Sequence, residues 1–200
     1  AGHRVTGLDT DTANVDMLNK GQSYIQHIPQ NKIQQFVQSK HFGASTDFSK
    51  LAEMDAVLIC VPTPLDQRRE PDLSYVENTA QAIRPHLQRG QLIVLESTTY
   101  PGTTEELVLP ILEETGMKCP IAHGTENEHI PTDFFLAFSP EREDPGNKQY
   151  GLAQIPKVVG GVNPPSGRAA ISLYAQIVAK VVPVSSTRAA EMTKLLENIF

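Results

Sequence analysis

The sequence predicts an α/β domain built on a mostly parallel sheet. Short β-rich runs alternate with amphipathic stretches of helical length. Two of those runs end in small polar loops, Cys60-Val61-Pro62-Thr63-Pro64 and Ser97-Thr98-Thr99-Tyr100-Pro101-Gly102-Thr103, and hydroxyls at the carboxyl edge of a parallel sheet are where ligands collect. Strands are expected at residues 4–8, 42–45 (weak), 55–61, 91–97, 134–138 and 180–184, with a further extended piece near 157–160. Between them, the spacing predicts helices over 12–20 and 74–87, the latter keeping Leu73, Val76, Ala80, Ile83 and Leu87 on one face between Pro71-Asp72 and Gly90. A further helix follows Pro101-Gly102 and carries Leu107, Val108, Ile111 and Leu112 until Gly116. Helices over 165–177 and 186–200 complete the pattern, and the polar stretch 118–133, broken by Pro120, Gly124 and Pro131, reads as an excursion loop.

Composition narrows the function classes. Of the 200 residues, 40% are apolar, enough for a real core, and no apolar run is long enough to span a bilayer. With a net charge of -6 and no run of Lys or Arg, neither a nucleic-acid footprint nor an anionic-membrane surface is expected. Cys60 and Cys119 form no CxxC pair, which suits a reducing, cytoplasmic setting.

Several residues could carry chemistry. Asp9 closes the strand Arg4-Val5-Thr6-Gly7-Leu8, where an acidic residue can accept hydrogen bonds from ribose hydroxyls; equally, Asp9 or Asp11 can open the helix that follows. The hydroxyl loops at Thr63 and at Ser97-Thr98 can reach a cofactor or simply cap helices. Cys60 lies in an apolar strand without a basic neighbour to lower its pKa, and reads as structural. His123 and His129 flank Gly-Thr-Glu-Asn-Glu without any metal-binding spacing, so no metal is expected. In the loop Ser139-Pro140-Glu141-Arg142-Glu143-Asp144-Pro145-Gly146, one carboxylate can pair with Arg142 and another act as a base, or the loop is a solvated acidic turn. On the last helix Lys194 and Asn198, four apart, share a face away from Met192, Leu195, Leu196 and Ile199. Periodicity alone makes that face solvated; it is also a donor pair suited to a developing oxyanion.

Taken together, Gly7-Leu8-Asp9, Gly21-Gln22-Ser23-Tyr24-Ile25, the run Leu58 to Pro64, Leu95-Glu96-Ser97-Thr98-Thr99-Tyr100-Pro101-Gly102-Thr103-Thr104, Ser139 to Gly146, and Glu191 to Asn198 resemble the UDP-glucose/GDP-mannose dehydrogenases. Within them the UDP-N-acetylglucosamine 6-dehydrogenase branch is the nearest. The resemblance implies a Rossmann-like parallel sheet with helices on both faces, and an enzyme that oxidises the C6 alcohol of a nucleotide sugar to a carboxylate. Two hydrides pass to two NAD molecules through a cysteine-bound intermediate. It further implies Asp9 as the ribose acceptor, Thr63 and Ser97 as cofactor contacts, and Thr98 beside the nicotinamide, helping to hold the hydrolytic water. Glu141 would assist thioester hydrolysis, Glu143 is the choice for the second glutamate of the acidic loop, and Lys194 with Asn198 would stabilise the oxyanion. Asn14 stands where the family often has Lys or Arg.

The resemblance also sets expectations of organisation. Residues 1–185 are expected to be an NAD-binding domain lacking its first strand, and 186–200 the start of a connecting helix. A Gly-rich loop is expected before residue 1, and the nucleophilic cysteine and UDP-binding region after residue 200, so the piece alone is expected to be inactive. A UDP-sugar substrate and a homo-oligomeric full-length enzyme follow from the same likeness. The alternatives are UDP-glucose, UDP-N-acetylmannosamine or GDP-mannose as substrate, a β-hydroxyacid dehydrogenase, whose helix carries a similar Lys-x-x-x-Asn pair, or a non-catalytic dinucleotide-binding module.

Overall fold

The computed structural model describes residues 2–25, 28–65, 71–123, 129–141 and 155–199. By its contacts the chain divides into two compact units, Ala1–Lys50 and Leu51–Phe200.

In the first unit, β1 (Val5–Leu8) and β2 (Phe42–Ser45) pair in parallel, Val5 opposite Phe42 and Leu8 opposite Ser45. Two helices connect them, α1 (Thr12–Asn19) and α2 (Gln30–Gln38). Asp11 caps α1 by accepting from the Ala13 amide at 2.8 Å. At the other end of α1, the Asn19 side chain donates to the Ala44 carbonyl and accepts from the Ala44 amide, at 2.9 and 2.8 Å, fixing the helix to β2. Helix α2 has no counterpart in the sequence reading. It is short, Gln-rich, begins after Pro29 without a capping side chain and buries no residue, so none of the usual signals marks it. Gly21, at φ +74°, lets the turn after α1 pass against α2, since a Cβ there would lie 2.7 Å from Gln34 Cγ.

The second unit carries a five-stranded sheet in the order β3 (Ala56–Ile59), β4 (Leu92–Leu95), β5 (Phe135–Phe138), β6 (Lys157–Gly161), β7 (Val181–Pro183). The extended piece near 157–160 is thus a full member of the sheet. Pairing is parallel except between β5 and β6. Every residue of β4, Leu-Ile-Val-Leu, is buried, as expected of a strand covered on both faces. On one face α5 (Pro164–Tyr174) closes the core with Leu92, Val94, Ala137, Val159, Ala170 and Tyr174. Leu92, Val94 and Val159 each contribute about 1.5–3 kcal/mol relative to exposure.

Several element ends differ from the sequence reading for identifiable reasons. Helix α3 (Ser74–Ile83) buries Val76, Ala80 and Ile83 but gives way to a tight turn at Arg84–His86, because Pro85 has no amide proton and crowds the preceding turn. Pro110 acts similarly on the next helix. Thr104–Val108 winds into a π-helical turn before α4 (Leu109–Glu113) resumes α geometry. Helix α5 is capped by Asn163, which accepts from Ser166 N at 2.9 Å, and stops at Tyr174 rather than residue 177. The strands at 55–61 and 91–97 lose their last residues because the Ser97 hydroxyl replaces the ladder at the tip. It accepts from Val61 N at 2.9 Å and donates to Val61 O at 2.8 Å.

Helix α6 (Thr187–Ile199) touches β5 and β6. Two glycines on β6 make the surrounding packing possible: a Cβ on Gly160 would lie 2.1 Å from Ser186 O, and one on Gly161 2.2 Å from Gly167 N. The burial of α6 departs from its apolar periodicity at several positions. Glu191 and Ala190 are fully buried, while Met192 and Leu196 are 46% and 49% exposed. A carboxylate and a small side chain dock this helix, while Met192 and Leu196 face solvent and Leu195 is half-buried, as Lys194 is.

Candidate active site

At the tip of β1 the two roles weighed for the aspartates fall to separate residues. Asp11 caps the helix, whereas the half-buried Asp9 receives Asp11 N on Oδ1 at 2.9 Å and the Asn14 side-chain amide on Oδ2 at 3.3 Å. Asp9 is therefore a pre-oriented carboxylate at a strand end with lone pairs to spare, the donor-seeking group that a ribose diol requires. Tyr24 lies near enough to Asp9 and Asp11 for their charges, after burial itself, to push its phenol pKa up.

In the second unit β3, β4 and β5 run in the same direction, so their following loops share one edge of the sheet. Thr63, after β3, donates to the Thr98 carbonyl at 2.7 Å. Ser97 holds the two tips together through Val61, which occupies its hydroxyl with backbone. Thr98 is half-buried at the same edge. Thr99 Oγ1, in contrast, is buried and has no hydrogen-bond partner among the described residues, an orphan polar atom of the sort a bound water or ligand satisfies. Glu141 follows β5: its amide donates to Glu96 O at 3.2 Å, and its carboxylate lies 3.7 Å from Lys157 Nζ. Glu143 and Arg142 lie outside the described residues.

Lys194 is half-buried on α6, and Asn198 is on the same helix, with its side chain outside the described set. Their helix is tied to the β4 tip by a residue the sequence reading passed over. Glu191 accepts from Gly102 N at 2.5 Å, Thr104 N at 2.9 Å and Thr104 Oγ1 at 2.7 Å. Arg188 reinforces the junction through Glu105 at 3.1 Å and Glu106 at 2.6 Å, and Thr187 donates to Glu105 at 2.5 Å. Glu191, Lys194 and Asn198 fall at i, i+3 and i+7, one face of the helix. The structure thus joins Thr63 to Thr98 directly and Thr98's loop to the helix of Lys194 through Glu191. Glu96, Lys157 and Glu191 carried one legible signal each: a charge closing or opening an apolar strand, or one turn ahead of a lysine.

Cys119 is buried, whereas Cys60, expected to be a structural group inside an apolar strand, is exposed just beyond the end of β3. Desolvation of its sulfur, with the Glu96 carboxylate as the next cause, still pushes the Cys60 thiol up to about 12, and Cys119 is fully buried near Ser166 and Asn163. Among the described residues no cluster of His, Cys, Asp and Glu could hold a metal, and no helix is long and apolar enough to cross a membrane.

Comparison with known proteins places this geometry. Residues 1–178 match the NAD binding domain of the UDP-glucose/GDP-mannose dehydrogenase family. The chain is 36% identical over 197 residues to an NDP-N-acetyl-D-galactosaminuronic acid dehydrogenase from Ralstonia nicotianae, covering 98% of this chain and 45% of that protein. It is 30% identical over 196 residues to a UDP-N-acetyl-D-glucosamine 6-dehydrogenase from Pseudomonas aeruginosa, covering 97% and 43%. The solved UDP-D-ManNAc dehydrogenase of Pyrococcus horikoshii superposes with a TM-score of 0.86 at 30% identity, over 98% of this chain and 44% of that one. The chain therefore spans less than half the length of the curated relatives it matches. Its α/β architecture, its strand-tip chemistry and the match over most of its length lead to one conclusion: the chain belongs to the UDP-glucose/GDP-mannose dehydrogenase family and carries the NAD-binding domain of that family.

Proposed function

We propose that the full-length protein is a cytoplasmic, homo-oligomeric enzyme that oxidises the C6 alcohol of a UDP-N-acetylhexosamine, UDP-N-acetylglucosamine first among them, to the uronic acid. The observation that carries this reading is the attachment of the Lys194 helix to the hydroxyl-bearing β4 tip through the three hydrogen bonds on Glu191. That attachment supports one pocket for the donor pair and the strand-edge hydroxyls. The three relatives described above are named for N-acetylated hexosamine substrates or products, which supports an N-acetylhexosamine over UDP-glucose or GDP-mannose.

Each unit by itself offers groups that suit part of a dinucleotide: in the first an oriented strand-end carboxylate in Asp9, in the second a linked pair of hydroxyl-bearing strand tips and an orphan buried hydroxyl in Thr99. When bound, NAD supplies the hydride acceptor. Asp9 would hold the ribose hydroxyls. Thr63, Ser97 and Thr98 would line the cofactor edge, Ser97 by fixing the tips and Thr98 by also holding the hydrolytic water. Glu143 is kept as the second acidic contact.

Oxidation to the acid level takes two steps through a thiol adduct. Its tetrahedral oxygen bears charge only during reaction, so an ammonium and an amide beside it stabilise that species over the bound alcohol; Lys194 and Asn198 have that role. Glu141 takes a proton from the water that cleaves the thioester. Cys60, its thiol pushed up to about 12, and the buried Cys119 are both poorly suited to be the nucleophile, and the 200 residues alone are expected to turn over no sugar.

The test is NADH formation by the full-length protein with UDP-N-acetylglucosamine, its galacto and manno epimers, UDP-glucose and GDP-mannose. Two NADH per uronate from UDP-N-acetylglucosamine is the expected result. Preference for an epimer corrects the sugar alone; turnover of a β-hydroxyacid and of no nucleotide sugar overturns the reading.

A further inference from the structure

Below the strand tips lies a buried charged cluster to which the chemistry above gives no task. Lys157 opens β6 at 8% exposure, and its ammonium stands 3.0 Å from Glu96 Oε1 and 3.7 Å from Glu141 Oε2. Glu96, directly after β4 and 6% exposed, takes hydrogen bonds from the Tyr174 hydroxyl on Oε1 and from the Cys60 thiol on Oε2 at 3.3 Å. The Lys157 ammonium also lies 5.2 Å from the centre of the Tyr174 ring. Strands β4 and β6, helix α5 and the end of β3 thus each give one side chain to the cluster.

Burying an ammonium and a carboxylate is expensive, and an apolar pair of equal volume often holds a fold as well or better. Stability alone therefore does not account for the cluster. What distinguishes it from an apolar filling is a cation fixed in place under Glu141. Glu96 on one side, the Tyr174 ring on another and burial all around restrict the lysine. The Glu141 side chain, by contrast, is 48% exposed and reaches out at the sheet edge. The same two strands meet again in the backbone bond from Glu141 N to Glu96 O.

We propose that Lys157, locked by Glu96, is a positioning residue for hydrolysis: it holds the Glu141 carboxylate at the sheet edge in the orientation from which it receives the proton of the attacking water. The inference rests on the role of Glu141 given above. In that step the water oxygen bonds to the acyl carbon, the carbon–sulfur bond breaks, the sulfur leaves with the electron pair, and the water proton passes to Glu141.

The experiment uses the full-length enzyme. Lys157→Met alone strands Glu96 as a buried, unpaired charge and can unfold the domain. The informative variant is Glu96→Gln with Lys157→Met, which removes both charges and keeps an acceptor for Tyr174. We expect a cooperative melt, NADH formation in the first turnover within about twofold of the parent, and kcat lowered about tenfold with KM for the sugar unchanged. A covalent acyl-enzyme should accumulate by intact mass spectrometry, and Lys157→Arg should keep most of the activity. If Glu141→Gln accumulates the adduct but the double variant does not, Lys157 is idle and the inference falls alone. If Glu141→Gln accumulates none, the assigned role of Glu141 falls and takes this inference with it. A Lys157→Arg loss equal to that of the double variant marks a packing defect and also overturns it.

Discussion

Glu191 offers the sharpest perturbation. Its carboxylate is fully buried and receives three donors, two of them backbone amides that have no alternative acceptor in the geometry described. Hydrogen bonds to a charged group are worth about 1.5–3 kcal/mol each, and an abandoned buried donor costs about 1–3 kcal/mol. In Glu191→Gln one oxygen remains for Thr104, but the new amide faces the Gly102 N–H donor to donor. Against that loss, a neutral side chain is relieved of desolvation, so the net cost comes to about 1–3 kcal/mol. Glu191→Ala leaves both amides and the Thr104 hydroxyl unpaired and should cost roughly 3–6 kcal/mol. The assay is amide hydrogen exchange by mass spectrometry on the full-length protein, reading the peptide around Gly102 and Thr104. At 1.4 kcal/mol per decade, Glu191→Gln should speed exchange there by roughly ten- to a hundredfold. Burial pushes the Glu191 carboxyl above its ordinary value, outweighing the Gly102 and Thr104 hydrogen bonds that lower it. A raised carboxyl pKa means the folded state binds the proton more readily, so the contribution of Glu191 falls as pH rises from its unfolded through its folded pKa. Glu191→Gln should therefore cost more below that window than at neutral pH. Unchanged exchange at Gly102, or a cost that shrinks on acidification, refutes the account of this latch.

Two further outcomes follow from the packing. With its thiol near 12, Cys60 should resist iodoacetamide at pH 8 in the native protein by about a thousandfold relative to the unfolded chain, as read by mass mapping; native labelling at the unfolded rate would show that Glu96 does not hold it. Gly160→Ala places a Cβ 2.1 Å from Ser186 O, so it should destabilise the domain by about 3 kcal/mol in a thermal or urea melt. A neutral result would mean that the start of α6 can retreat from β6 freely.

The sheet was readable because burial leaves a one-dimensional trace. The run Leu92–Leu95 is apolar at every position and covered on both faces, and α3 keeps Val76, Ala80 and Ile83 inward at helical spacing. Element ends were less readable, since they depend on partners remote in the chain. Ser97 ends β3 by bonding Val61, and that pairing is invisible from either segment alone. The prolines at positions 85 and 110, which apolar spacing alone runs straight through, turn out to bring a tight turn and a π-helical turn.

Helix α6 shows why a buried charge is harder to read than an apolar core residue. Amphipathic periodicity assumes that apolar faces turn inward, which would bury Met192 and Leu196. The assumption fails where a buried carboxylate is matched by converging donors: Glu191 meets two amides and a hydroxyl from a loop far away in sequence, and that match outweighs the exposure of Met192 and Leu196. The same holds for Lys157 and Glu96, charges within or beside apolar strands that sequence pattern treats as strand ends. In both places a charge buried at a strand edge is satisfied only by groups from several elements, so the fold must be complete before the charge is tolerable. Such groups are poor contributors to stability and good fixers of geometry. Under the proposed function, a strand edge that holds a water, an oxyanion and a cofactor in register is where fixed geometry would be worth more than burial.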